Sequence, residues 1–481
     1  GITTIGAYSF DGLSNVGTVT IPVSVTAIKD NAFVNCGEDL TIACQGGAAE
    51  EYANNNQIKV IIGGTLSNGI TWKIADKTLT ISGNGAIPGG NESNNAYLWD
   101  GASAEKPWRN VKTYMNDVNT IIVEEGITKI PASAFALCVG LENIMLPKTL
   151  TTISNLMLHE ADNLEFLAIP ENVTICGDGI SHPSDLKRVA VLSKTMDKNV
   201  SSLVSENPRN DVTILCYEDS KIAQSSDIGN YNKETIINHG EDGNIRWLVT
   251  SEGSLDIYGA GDLGTLEQAP WAEYASSIKN VYIHMGITGI GAGCFEGINN
   301  AYIEIPHTVS ALQANAVSGS GCRVRVPFDV ETIEENAFGT DTTIMSYEGT
   351  YAQEYAKTNN INFDLRKSLR LLAIGNSYTQ DTTDYLFQIA EASGAEDILI
   401  GNLFYPGRNL KRAYEHIQNG DTDYTYFEWT SGGRHKSWSG KSMKDGITAQ
   451  KWNTITLQAW YPEACYGLDG IANDDETQWF T

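Results

Sequence analysis

A serine that attacks a carbonyl needs a sharp presentation, donors for the oxyanion and a base to take its proton. The stretch Leu369-Arg370-Leu371-Leu372-Ala373-Ile374-Gly375-Asn376-Ser377 supplies the first of these. It reads as a buried strand ending in a small-residue turn, with the Ser377 hydroxyl just past the strand's carboxyl end. Tyr385, Leu386, Ile389 and Ala390 follow at helical spacing, and Gly394 closes the run. A serine between strand and helix stands beside backbone N–H groups able to stabilise an oxyanion. The plain alternative is an ordinary strand-to-helix turn with a capping serine, because Gly-Asn-Ser is common turn material.

A base is harder to find. After Ser377 the chain holds only His416, on a helix face beside Glu415, and His435, in a polar aromatic hairpin. His159, His182, His239, His284 and His307 lie earlier, none at metal-ligand spacing, and read as surface or core histidines. The eight cysteines are scattered singly without a CxxC pair and read as buried thiols, a disulfide staying open if the protein is secreted. Glu124-Glu125, Glu334-Glu335 and Asp474-Asp475 read as solvated faces, and no Asp-x-Asp-x-Asp-Gly loop occurs. These residues imply neither a metal nor a cofactor.

The elements that must position Ser377 fill the last part of the chain. A second strand, Ile398 to Phe404, ends at Tyr405-Pro406-Gly407-Arg408-Asn409, and a helix with Leu410, Ala413, Tyr414 and Ile417 on one side follows. The hairpin Tyr424–Trp429 and His435–Trp438 and a short helix near Met443–Gln450 lead to a third strand, Thr454-Ile455-Thr456-Leu457-Gln458. Strand–helix–strand–helix–strand predicts a doubly wound parallel sheet with its site at the strands' carboxyl ends. Those ends carry Ser377, Gly407 and Gln458.

This pattern resembles the SGNH/GDSL hydrolase superfamily, esterases and lipases of acylated substrates. It is more similar still to an SGNH-like family with "AIGNSF", "IGNLYxGG" and "WDYITLQQ" phrases, often found on bacterial surface proteins. The resemblance implies that Gly375-Asn376-Ser377 is the nucleophile block, with Asn376 in place of the usual Asp. It makes the Ser377 N–H, the Gly407 N–H and the Gln458 side-chain amide the oxyanion donors. It also implies a base from an Asp-x-x-His phrase near the domain's end, and neither His416 nor His435 lies in one. Ala459-Trp460-Tyr461 stands where the family has a second glutamine. The expectation is therefore a domain cut short, with Ser377 idle in this fragment.

Everything before residue 365 is repetitive. Ile28-Lys29-Asp30-Asn31-Ala32-Phe33-Val34-Asn35-Cys36 echoes residues 5–13, and the phrase returns around Phe135, Phe295 and Phe338. Phe10 to Phe33, like Pro147 to Pro170, is 23 residues. Such a period, with one short strand per unit stopped by proline, predicts a solenoid. The phrases resemble the BspA-like leucine-rich repeats of bacterial surface proteins.

A longer repeat pairs Trp72…Gly85 with Trp247…Gly261, each followed by Pro-Trp (Pro107-Trp108, Pro270-Trp271). These spans read as β-hairpins capping the exposed end of each solenoid, with both tryptophans structural. Helices at 44–54, 347–357 and, more loosely, 216–223 read as carboxyl-terminal caps. Tyr97 and Trp99, in an extra loop, are the aromatics freest to bind something. The predicted modules are 1–62, 63–240, 241–365 and 366–481.

A formal charge of −27 argues against nucleic acid or an anionic membrane as main partner, since both need a basic surface. No run of ~18 apolar residues predicts a transmembrane helix. Two functions stay open: a secreted or cell-surface serine esterase, for instance of polysaccharide acetyl groups, or a non-enzymatic adhesin whose repeats engage a polysaccharide or a host or matrix component.

Overall fold

The computed structural model describes residues 1–89, 106–111, 117–161, 163–178, 186–204, 212–383, 385–407, 410–429 and 435–458. Tyr97, Trp99, His182, Arg408, Asn409, Ala459-Trp460-Tyr461, Cys465 and Asp474-Asp475 lie outside the described residues. The chain divides into two compact units, Gly1–Ile236 and Ile237–Thr481.

In the first unit the strands Thr18–Thr20 and Thr41–Cys44 pair in parallel, as do Thr120–Val123 and Asn143–Met145, and Phe166–Ile169 with Arg188–Val191 and Thr213–Cys216. In the second unit Asn280–Ile283, Tyr302–Glu304, Arg323–Arg325, Thr343–Ser346 and Asn362–Leu365 repeat the arrangement. The expectation of one strand per repeat is one short. Short segments of two to four residues form a second parallel ladder, Gly85–Ala86, Ile127–Ile130, Thr152–Ile153 and Ile175–Cys176 in the first unit, with a counterpart in the second. These strands are too short to show an alternating pattern, so they were invisible to periodicity.

The phrase that defines the repeat has a mechanical cause. Ile130, Ala134 and Phe135 are fully buried, as are Ile290, Cys294 and Phe295. To turn them inward the chain adopts a left-handed conformation two residues before each phenylalanine, at Asn31, Ser133, Gly293 and Asn336, and at the equivalent Tyr8, Leu156 and Asn315. Asparagine and glycine tolerate that backbone best. The freed amides then bond along the stack: Ser133 N–H donates to Asn155 O (3.0 Å), Leu156 N–H to Asp178 O (3.1 Å) and Asn315 N–H to Asn336 O (2.9 Å). Buried cysteines fill the same stack, the Cys322 thiol donating to Ile298 O at 3.4 Å. Burial pushes the Cys294 thiol up to about 11, so it stays protonated and acts as a small apolar filler.

The Trp-containing hairpins correct one expectation. Thr71–Ala75 and Thr78–Ser82 do not cover a solenoid end. They lie inside a sheet, Lys59–Thr65 pairing antiparallel on one side and Thr120–Val123 parallel on the other. The hairpin thus splices one run of repeats to the next. The tryptophan of the following Pro-Trp pair is a brace, as the sequence suggested: Trp108 meets the hairpin's Trp72 edge-on at 6.2 Å, and the Trp108 Nε1–H donates to Ala134 O at 2.9 Å. Trp247, Trp271 and Cys294 O repeat this geometry in the second unit. Among the predicted cap helices, Ala48–Asn55 and Tyr351–Thr358 form, whereas 216–223 yields only the 3-10 turn Ile222–Gln224.

The terminal part of the second unit is an α/β domain: β1 (Ser368–Gly375), α1 (Ser377–Thr383), α2 (Leu386–Ala392), β2 (Asp397–Phe404), α3 (Leu410–Asn419), β3 (Tyr424–Trp429), β4 (His435–Lys441), α4 (Met443–Thr448) and β5 (Thr454–Leu457). The strand order is β4-β3-β2-β1-β5. β2, β1 and β5 are parallel, as expected, but the hairpin β3–β4 adds antiparallel strands beyond β2, so the sheet is mixed. The single helix expected after Ser377 is two short ones. Tyr385 and Ile389 are exposed and Ala390 is buried, so the expected apolar face is only partly used.

Candidate active site

The site is built on β1, the middle one of the three parallel strands. Its register sets Gly375 opposite Phe404 of β2 and Ile374 opposite Leu457 of β5, so the three carboxyl ends lie level. Two backbone bonds hold the segments beyond them: Tyr405 N–H donates to Gly375 O (3.0 Å) and Gln458 N–H to Ile374 O (2.9 Å). Ser377, Gly407 and Gln458 therefore gather at one end of the sheet, as their sequence positions implied. Gly407 is exposed with φ of 62°, a left-handed conformation suited to glycine.

Ser377 is the first residue of α1 and is exposed. It is not the cap. That role falls to buried Asn376, whose Oδ1 accepts from Tyr378 N–H (3.1 Å) and whose carbonyl accepts from Thr379 N–H (2.9 Å). With the cap one residue earlier, the Ser377 hydroxyl is spared, and among the described residues it has no hydrogen-bond partner.

Gln458 braces this turn from 79 residues away, its Oε1 accepting from the Thr379 hydroxyl at 2.7 Å. The same oxygen accepts from Asn376 N–H at 3.4 Å. A backbone N–H only donates, so the atom facing it is the oxygen, and Nε2 is the donor end of the amide. Gly375 has a steric cause: a methyl group there would overlap Thr379 Oγ1. The Thr379–Gln458 bond was not legible in the sequence. Its one signal was an apolar run, Leu371 to Ile374, ending in glycine.

The histidines do not complete the site. His416 is buried on α3, edge-on to Tyr405 at 5.0 Å and to Tyr424 at 5.5 Å, with Nε2 3.8 Å from Asp421 Oδ2. It is a core residue. His435 pairs with Trp429, which pairs with Ile400, four residues back along β2 from its end. At about 3.3 Å per residue its backbone sits roughly 13 Å below the strand ends, three strands away from β1. Among the described residues no cluster of His, Cys, Asp or Glu has a metal-holding arrangement.

Comparison with known proteins bears on both parts. A model described as BspA type leucine rich repeat region matches residues 1–56, 113–202 and 272–386, in six copies. The chain belongs to the BspA-type leucine-rich-repeat family. In this BspA-type protein a second model, a domain of unknown function (DUF4886), matches residues 370–470, from the strand before Ser377 past Gln458.

Several solved structures are similar. A DUF4886 family protein from Bacteroides uniformis is 31% identical over 20% of this chain and 37% of its own, with a TM-score of 0.19. The chain thus spans 37% of that protein's length. A leucine-rich repeat protein from Eubacterium ventriosum is 16% identical over 65% of this chain and 80% of its own, TM-score 0.24. A leucine rich cell surface protein from Faecalibacterium prausnitzii is 15% identical over 75% and 82%, TM-score 0.19. No curated protein matches.

Proposed function

We propose that this BspA-type protein works at the bacterial surface or as a secreted protein, its repeats presenting a binding face and its terminal domain acting as an SGNH-type serine ester hydrolase. The observation that carries the reading is Ser377 at the end of the middle parallel strand, exposed and with its hydroxyl not used in the Asn376 cap, with Gly407 and Gln458 just past the flanking strand ends. The flavodoxin-like order β2-β1-β5 supports it, because open α/β sheets bind ligands where the strand order reverses. No described helix is long and apolar enough to cross a membrane.

In the proposed reaction Ser377 Oγ attacks the ester carbonyl carbon while a base takes its proton. The N–H groups of Ser377 and Gly407 and the Gln458 Nε2 share the negative charge on the carbonyl oxygen. The bond to the alcohol breaks, the alcohol leaves with the proton, and water then releases the acid from Ser377. Neither His416, packed in the core, nor His435, low on β4, is placed to be that base. Acetylated polysaccharide is the substrate class that also suits a surface repeat protein. The test is turnover of p-nitrophenyl acetate and acetylated xylan. Ser377→Ala is expected to lower it by about 10³-fold or more; no turnover by the intact protein, or turnover that survives Ser377→Ala, sinks the reading.

The placement of His416 and His435 favours a second reading, a binding protein with a vestigial hydrolase-like domain. In that case glycan or matrix arrays capture both the intact protein and its Ser377→Ala variant. A blank array beside a robust esterase counts against it.

A further inference from the structure

We infer that the last repeats of the second unit are a seat built for the amino ends of the α/β sheet, so that they and the terminal domain move as one body with the Ser377 end facing away. The central observation is Arg370. It is the one charged residue in the apolar core of β1, and its side chain is 5% exposed. A buried guanidinium is tolerated only with its donors satisfied, and this one grips a carboxylate from each module. Nη1 and Nη2 donate to the two oxygens of Asp329 (3.2 and 2.8 Å), which lies between repeat strands. Nε and Nη2 donate to the two oxygens of Asp397 (2.6 and 3.0 Å), at the start of β2. The ring of Phe328, another repeat residue, lies 4.5 Å from the guanidinium carbon.

The surrounding contacts follow the same plan. Arg325, on a repeat strand, donates to Glu304 (2.8 Å), to the Tyr347 hydroxyl (3.2 Å) and to the carbonyl of Glu396 (3.1 Å), just before β2. Arg366 pairs with Glu396, and Lys451, ahead of β5, pairs with Glu331 at 3.0 Å. On the domain side these residues lie just before or near the start of β1, β2 or β5. Ser377 lies beyond the other end of β1, whose eight residues span roughly 26 Å. The peptide link alone, Arg366-Lys367 between Asn362–Leu365 and β1, would tether the modules. The paired carboxylates fix their orientation, and they keep the repeats of this unit out of the Ser377 site.

Trypsin tests this on the full chain, because the link itself offers it Arg366 and Lys367. Cleavage there requires the seat to open. Asp329→Asn acts from the repeat side and leaves Asp397 to neutralise Arg370, so the domain keeps its fold, checked by circular dichroism. It is expected to speed cleavage at the link at least tenfold, and Arg370→Met at least as much. Lys451→Met, which removes only an exposed pair, is expected to stay within twofold. Cleavage by Asp329→Asn at the wild-type rate overturns the seat, even if Arg370→Met unfolds the domain, because Arg370 would then serve the α/β sheet alone. A response to Lys451→Met equal to that of Asp329→Asn also overturns it.

Discussion

At the residue scale the nucleophile turn is governed by close approach. Thr379 folds back over β1 so that its hydroxyl reaches Gln458, and it occupies the space a side chain at 375 would need. Gly375→Ala must push α1 off the sheet, a form of overpacking that costs about 1–3 kcal/mol. Thr379→Ala removes the obstructing hydroxyl, so the pair is expected to be non-additive, the double variant losing less than the sum of the singles. Urea unfolding of the four proteins measures this, and strict additivity would show that the overlap is relieved elsewhere. The opposite change is available in the repeats. Leu156 holds the left-handed conformation (φ 56°) that Asn31 and Asn336 hold at equivalent positions. Leucine is strained there, so Leu156→Asn is expected to raise stability by about 0.5–1 kcal/mol. A lower unfolding midpoint would mean that lost packing outweighs relieved strain.

At the element scale one helix is capped from a distance. Val200–Leu203 has Asn199 at its N-cap with no side-chain bond, and Asp227 does the work instead. Its carboxylate accepts from Val200 N–H (3.0 Å), Ser201 N–H (2.9 Å) and the Ser201 hydroxyl (2.6 Å). Burial alone would raise this carboxyl, but the bonds from Ser201, Val200 and Ser225 outweigh it and bring it down to about 2. The folded value lies below the ordinary ~3.9. The stabilisation is therefore present above the unfolded value and is lost progressively as pH falls from about 5 through 2. Asp227→Ala is expected to cost about 1 kcal/mol at pH 7, and Asp227→Asn to flatten the acid limb of stability against pH. An unchanged acid limb would assign the acid sensitivity to other carboxylates.

Such long-range partners mark the limit of what was legible in the sequence. The repeats were readable because Ile, Ala and Phe recur with their turn residues. The gathering of Ser377, Gly407 and Gln458 was readable because parallel strands put successive carboxyl ends side by side. The splice made by the Trp72 hairpin, the Gln458–Thr379 bond and the Asp227 cap were not, because each depends on which distant strand or loop becomes a neighbour. Arg370 was an overlooked signal: a charge inside an apolar strand demands a partner.

At the scale of the whole molecule the deciding quantity is charge. The chain carries 59 acidic and 32 basic side chains, a net −27. Many of the described cations are paired at the surface: Lys194–Asp219, Lys221–Asp197, Lys187–Glu165 and Lys233–Glu218 all have at least one well-exposed partner. Each such pair is worth about 0–1 kcal/mol, and salt screens it. Screening also relieves the mutual repulsion of the surplus carboxylates, and the two effects oppose each other. The Debye length falls from about 30 Å at 0.01 M to about 8 Å at 0.15 M. Over that range ion pairs in contact at about 3 Å lose only part of their attraction, whereas unpaired charges spaced farther apart lose most of their repulsion. The buried Arg370 and Arg188 pairs, shielded from solvent, change least. Repulsion therefore has more to lose, and the unfolding temperature is expected to rise by a few degrees between 0.01 and 0.15 M NaCl at pH 7. Differential scanning calorimetry decides it. A fall over the same interval would mean that surface pairing, despite the surplus of acid, dominates the electrostatics of the fold.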